Sequence, residues 1–293
     1  MMRTFVILIF LLSGQANSKD QASSNIFLHS LPFAELSNAI YGNQRVIQNI
    51  AKQYGLSLNE VKNIADIEVS YALLSDLLLK KHIIVVRGTA NAENALVDMD
   101  IKMVIDKQTG VFAHQGFLSG TTLIFQDLKS KLDKKFSVSV SGHSLGGAIA
   151  VLLAMQLQSD GVIIDNVITF GQPKVTNLSG ATKYQNLNVT RFVQSKDLVP
   201  VVPPIDSLDI QNFNIYWHLG REIILLGNNK YAELEGVSSM LRGADFVTSV
   251  LSMDNLKDHE MPGYLALIRR NSEFSRKVEY RTSFSFKNIF GEK

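Results

Sequence analysis

The chain has 293 residues, 46% of them hydrophobic, enough for one α/β domain with a sizeable core. Its net charge of +2, with no lysine-rich stripe, excludes a protein built to hold nucleic acid electrostatically. It has no cysteine, which excludes thiolate nucleophiles, cysteine metal sites, disulfide frameworks and an acyl-anchored lipoprotein.

Met1-Met2-Arg3 is a short positive segment, followed by the apolar run Phe5 to Leu12 and small residues from Ser13 to Ser18. That is the pattern of a cleaved export signal, ending after Ala16 or Ser18. The run is too short to span a bilayer, which needs about 20 apolar residues. Residues 1–18 are therefore expected to be a signal peptide, 19–293 a single domain, and the mature protein secreted or periplasmic. Asn25 to Pro32 reads as an irregular entry segment. Ala34 to Tyr54 has Leu36, Ile40, Ile47, Ile50 and Ala51 at helical spacing, with Gly42 as a possible break. Leu77 to Val86, dense in Leu, Ile and Val, reads as a buried strand ending at Arg87-Gly88-Thr89. Phe117 to Leu132 is helical in period, Phe136 to Ser141 is a strand, and Leu145 to Gln158 is a long helix. Strands follow at Asn166 to Phe170 and Val189 to Gln194. Phe213 to Leu226 reads as two short strands turned at Gly220, and Val237 to Leu256 and His259 to Arg270 as helices. Strands alternating with helices predict an α/β fold, a mostly parallel sheet covered by helices on both faces. The ligand crevice of such a sheet lies outside the carboxyl ends of its strands. The loops at Arg87 to Thr89, Gly142 to Gly147, Gly171 to Pro173 and Lys196-Asp197 all fall there.

Gly142-His143-Ser144-Leu145-Gly146 joins a strand directly to a helix, the context of a nucleophile elbow. The turn is tight enough that a Cβ at Gly142 or Gly146 would collide with neighbouring backbone. The following helix points its N-terminal N–H groups at the serine hydroxyl, so the Leu145 N–H is a candidate oxyanion donor. A serine nucleophile needs a base, and the base an orienting carboxylate, in the chain order Ser, Asp or Glu, His. Asp197, just past a strand, fits the acid, with Asp206 and Asp209 as competitors further from any strand end. His29, His82 and His114 precede the serine, His143 sits inside the turn with its side chain expected to point away from the crevice, and His218 lies within a predicted strand. His259, in a polar loop, can swing to Ser144 and is the candidate base.

These residues together resemble the class 3 lipase family, the filamentous-fungal triacylglycerol lipase type and its relatives. The likeness runs from about Ile83 to Tyr264 and rests on Val85 to Thr89, His114 to Leu118, Gly142 to Gly147 and Thr169 to Val175. Lys196 to Pro200 with Pro203-Pro204, His218 to Gly220, and Asp258-His259 with Tyr264 complete it. The resemblance implies an α/β-hydrolase fold, with Ser144 as nucleophile, Asp197 as acid, His259 as base, and Thr89 joining Leu145 in the oxyanion hole. It gives His218 a supporting role and leaves His114 and Arg87 as scaffold. It implies a lid over 90–104, where Ala92, Ala95, Leu96, Met99 and Met103 make one apolar helical face. Ala95 stands where the family often has tryptophan, a departure that weakens lipid attachment, and Asp98 stands where the family tends to keep a polar residue beside the oxyanion hydroxyl.

The reading is an exported serine carboxylester hydrolase acting on acylglycerols, with lipid or phospholipid as its partner and no cofactor or metal expected. A phospholipase A-type membrane-attacking hydrolase or toxin is the alternative, and a catalytically silent binding relative a lesser one. The basic, aromatic segment 271–293 is read as an added edge strand or frayed end, with Thr282 to Phe286 alternating, or as a membrane-surface contact.

Overall fold

The computed structural model describes residues 18–64, 69–89, 101–203, 215–242 and 257–280. The proposed signal segment Phe5 to Leu12, most of the proposed lid, Asp206 and Asp209 lie outside them.

Two helices open the described chain, α1 (Ser18–Ala39) and α2 (Gln44–Gln53). Gly42 does fall between them, and Asn43 caps α2 by accepting from Val46 N. The irregular segment expected at Asn25 to Pro32 is instead helical, and α1 runs through Pro32. Phe27, Phe33 and Ala34 lie buried against the sheet, and that burial outweighs the backbone bond lost at proline.

The main sheet has nine strands. In chain order they are β1 (Ser57–Ile64), β2 (Val69–Asp76), β3 (Lys81–Arg87), β6 (Ser137–His143), β7 (Ile164–Phe170), β9 (Val189–Gln194), β11 (Arg221–Gly227), β12 (Lys230–Glu235) and β13 (Arg276–Lys277), which is also their spatial order. The centre from β3 to β11 is parallel, β1 and β2 are antiparallel to their neighbours, and β12 is antiparallel to β11 and parallel to β13. A small second sheet joins β4 (Met103–Ile105), β5 (Phe112–His114), β8 (Thr176–Asn177) and β10 (Tyr216–Trp217) in the order β10-β8-β5-β4. Helices α3 (Gln115–Leu128) and α4 (Leu145–Ser159) cover one face of the main sheet, and α1 and α7 (Met261–Glu273) the other. Alternation along β7 shows the two faces: Val167 packs with α3 and α4, while Ile168 and Phe170 join the cluster of Phe27 and Tyr264. Short helices α5 (Leu178–Lys183) and α6 (Gly236–Arg242) fill the loops.

Several expectations need correction. Leu77 to Leu79 are not strand. They form a turn in which Asp76 Oδ1 accepts from Leu78 N and Leu79 N, closed by Lys80 at φ 53°, and Leu78 is 95% exposed. The strand begins at Lys81. The hairpin of β1 and β2 went unread because β1 is only half-buried and polar, without an apolar period. Tyr216–Trp217 and Arg221–Gly227 flank Gly220 as expected, yet they belong to different sheets. Strand β12 was missed, although Asn228 and Asn229, at φ 48° and 55°, make the two-residue hairpin turn that asparagine favours. The helical spacing assigned to the lid does not reach Met103, which pairs with His114 in the small sheet. In the C-terminal segment Arg276–Lys277 adds an edge strand beside β12, while Thr282 to Phe286 lie outside the described residues.

Exposure and burial here give opposite mutational outcomes. Leu78→Ser should change stability by no more than about 0.5 kcal/mol. Leu74→Ala, at a position with no exposure in β2, should cost about 2–5 kcal/mol in urea unfolding.

Candidate active site

The turn between β6 and α4 is very tight. A Cβ on Gly142 would lie 2.3 Å from Gly146 O, and one on Gly146 would lie 2.3 Å from Val86 O. Those distances are inside any allowed contact, so backbone packs on backbone as the sequence predicted. Ser144 sits at the apex with φ 58° and ψ −131°, a strained conformation for a residue with a side chain, and its N–H is tied to Phe170 O at 2.9 Å. Leu145 begins α4, so its N–H has no acceptor within the helix.

Asp197 lies in the loop after β9 and is fully buried. Its carboxylate accepts from three donors: His259 Nδ1 at 2.8 Å, the Tyr264 hydroxyl at 2.5 Å and Val199 N at 2.9 Å. An acceptor on Nδ1 leaves neutral His259 with its lone pair on Nε2. That atom is buried and has no hydrogen-bond partner among the described residues. Gly171, at φ 57°, passes beneath the pair, where a Cβ would lie 2.8 Å from His259 Nδ1 and 2.9 Å from Asp197 Oδ2. Strand ends β7 and β9 and the N-terminal side of α7 therefore bring Gly171, Asp197 and His259 together, while Ser144 stands at the end of the neighbouring strand β6, next to His143, whose ring adjoins that of His259. Thr89, after β3, completes the group: the neighbouring Gly88 faces Ser144 Cβ, and the Thr89 hydroxyl is buried without a partner among the described residues.

Sequence reasoning missed two contributions. Tyr264, one turn into α7, donates to Asp197 and accepts from Gln194 N at 3.0 Å. Burial and the adjacent carboxylate hold its pKa well above the usual phenol range, so it stays a donor. Its place five residues beyond His259, facing the core from a helix, was the available signal. His143 does not point away. Its ring lies 4.7 Å from that of His259, and Nε2 meets the His259 carbonyl at 2.6 Å.

The remaining histidines are structural. His114 caps α3, stacked on Phe117 at 3.9 Å. His218 meets Pro200 O at 2.6 Å and so fixes the loop that follows Asp197. On that same loop Lys174 donates to Val201 O and Pro203 O. Among the described residues no group of three His, Asp or Glu side chains is placed to hold a metal ion, and no helix is long and apolar enough to cross a membrane.

With this geometry in view, comparison with known proteins is informative. Residues 83–207 match the family described as Lipase (class 3). The secreted mono- and diacylglycerol lipase 1 of Fusarium solani is 30% identical over 140 residues, 45% of this chain and 42% of that protein. Toxin TseL of Vibrio cholerae is 33% identical over 116 residues, 38% of this chain and 18% of the toxin. The chain thus spans less than half the length of either. Among solved structures, lipase II from Rhizopus niveus superimposes with a TM-score of 0.58 at 25% identity, covering 70% of this chain and 81% of that one.

Two outcomes follow from the geometry. Gly146→Ala should abolish folding or cost several kcal/mol, because its Cβ has only backbone to displace. Lys174 should make stability depend on pH. Burial first, then the Arg191 and Arg242 guanidiniums, push its amine down to about 7, against a partial opposing pull from Glu222. Above that value the native state has released a proton that the unfolded chain still binds, so stability rises with pH until the unfolded amine titrates near its ordinary pKa. The slope is at most about 1.4 kcal/mol per pH unit. Urea unfolding at about pH 7 and about pH 9 should show this gain in wild type, and Lys174→Met should lose it.

Proposed function

We propose that the chain, whose residues 83–207 match the class 3 lipase family and whose fold is that of an α/β-hydrolase, is a serine carboxylester hydrolase that releases fatty acids from acylglycerols. The observation that carries this reading is the buried Asp197–His259 pair, aimed by Tyr264 and Gly171 beside a serine on a strained turn.

In this proposal Ser144 Oγ attacks the ester carbonyl carbon while His259 Nε2 takes its proton, and Asp197 holds the ring and stabilises the imidazolium. The carbonyl oxygen becomes an oxyanion held by the N–H of Leu145 and by Thr89, through its N–H and its hydroxyl, which has no partner among the described residues. Collapse of the tetrahedral intermediate breaks the bond to the alkoxy oxygen, which leaves with the proton from His259. Water, deprotonated by the same imidazole, then attacks the acyl-enzyme and releases the fatty acid. His259 Nε2, without a hydrogen-bond partner among the described residues, is available to accept from Ser144 in this role.

Export belongs to the same reading. It is supported by the charged and apolar run from Met1 to Leu12 and by the likeness to the secreted lipase of Fusarium solani. The likeness to TseL favours a second reading, in which the acyl ester attacked is that of a membrane phospholipid and the protein acts as a toxin.

Fatty acid release from a triacylglycerol emulsion and from phospholipid vesicles, measured side by side with Ser144→Ala as control, tests both. Release from the emulsion, lost by at least about 1,000-fold in Ser144→Ala, is the expected result. Release from vesicles alone would move the assignment to the second reading, and equal release by wild type and variant would end both.

A further inference from the structure

His143 makes two hydrogen bonds whose directions are fixed by chemistry. The His259 carbonyl at 2.6 Å can only accept, so His143 Nε2 carries the proton. Burial, reinforced by the neighbouring His259, holds the His143 pKa well below its ordinary value and keeps the ring neutral, so Nδ1 is an acceptor. The group facing Nδ1 at 2.8 Å is the Tyr41 hydroxyl, which must therefore donate. Tyr41 in turn accepts from the backbone N–H of Gly88, and burial raises its pKa to about 12, so the proton stays on the phenol. The result is one directed chain: Gly88 N–H to Tyr41 oxygen, Tyr41 O–H to His143 Nδ1, and His143 Nε2–H to His259 O.

The chain touches the oxyanion loop, the nucleophile turn and the backbone of the base without using a reacting atom. Gly88 precedes Thr89 on the oxyanion loop, His143 precedes Ser144 in the turn, and the last acceptor is the backbone of His259 itself. Aspartate holds the His259 ring from one side, but a ring so held can still shift if the backbone carrying it moves. The polar contact described for that backbone is the one from His143, and the two rings also lie face to face, tilted by 31°. Tyr41 comes from the loop between α1 and α2, outside the sheet, so it ties two strand-end loops and the segment before α7 to a common external point. Gly88 leaves room for this: a Cβ there would lie 2.9 Å from the Tyr41 hydroxyl and 2.8 Å from His143 O.

We propose that Tyr41 and His143 are positioning residues that set the distance between the His259 base, the Ser144 nucleophile and the Thr89 loop through this hydrogen-bond chain. The inference rests on the hydrolase reading for its catalytic meaning, and it is tested so that the two can fail separately.

Wild type, Tyr41→Phe, His143→Gln and His143→Leu are compared on a soluble short-chain p-nitrophenyl ester, with thermal unfolding to confirm that each is folded. Tyr41→Phe and His143→Leu should lower kcat by about 10- to 100-fold with KM within about twofold, because binding is kept and alignment lost. His143→Gln, whose amide can still donate to the His259 carbonyl, should recover part of that loss. Folded Tyr41→Phe and His143→Leu with wild-type kcat would overturn the proposal, as would an equal loss in His143→Gln and His143→Leu. A second readout needs no turnover. The low-field proton resonance of the His259 Nδ1–H, assigned by isotope-labelled histidine, should move in Tyr41→Phe, and an unchanged resonance would overturn the proposal even if no substrate is found. A wild type that neither hydrolyses the ester nor reacts with a fluorophosphonate would instead count against the hydrolase reading alone.

Discussion

Contact of backbone with backbone beneath Ser144 is the constraint on which the rest of the structure depends. Gly142, Gly146 and Gly88 lack the one atom that would keep β3, β6 and α4 apart, and each faces a main-chain oxygen at a distance no Cβ tolerates. Because those strands are fixed in register, Val86 opposite Gly142, their loops leave the sheet at one level. That level is where Thr89, Ser144 and the loop after β9 meet. The strain at Ser144, of order 1–3 kcal/mol, persists only because the surroundings allow no alternative. Every residue of α4 from Gly146 to Leu157 is buried, so the helix cannot rotate or slide to relax the turn.

A second consequence concerns the imidazole. His259 is held by its ring to Asp197, by its backbone carbonyl to His143, and from below by a glycine whose missing Cβ makes room for the ring. Three independent contacts on one side chain are expensive in conformational entropy, but α7 bears the cost by packing Met261, Tyr264, Leu265 and Ile268 into the core. The same helix that buries apolar area on one face delivers the Tyr264 hydroxyl to Asp197. Core packing and site geometry are thus properties of a single element.

What was legible in the sequence follows from this. The parallel centre of the sheet announced itself because β3, β6, β7 and β9 end in polar or glycine-rich loops, and the loop chemistry named Thr89, Ser144, Asp197 and His259. Glycines flanking a serine between strand and helix are a local signal, since the collision they avoid lies within four residues. Edges were not legible. Strand β1 is half-exposed and polar, and Leu77 to Leu79 have strand-like composition while forming a solvent-facing turn, because the Asp76 side chain satisfies their N–H groups. Tyr41 was invisible for another reason: it acts on a residue 102 positions away, and a single sequence does not record such pairings, while Tyr264 was named only within the family likeness, without its role.

Charge behind the carboxylate completes the polarity of the site. Glu222 is buried between Arg242, at 2.7 Å, and Arg191, at 3.8 Å, so the local balance among these three is one positive charge in excess. Asp197 and Tyr264 both lie within the field of Arg242. A buried carboxylate that faces a neutral imidazole would otherwise have only hydrogen bonds to offset its desolvation. Arg242 adds an electrostatic attraction to that carboxylate. A proton arriving on His259 would create a cation next to the anion already prepared for it. The Asp197 carboxylate on Nδ1 thus faces the cation that forms when the proposed mechanism moves the serine proton inward to His259 Nε2, an atom without a hydrogen-bond partner among the described residues.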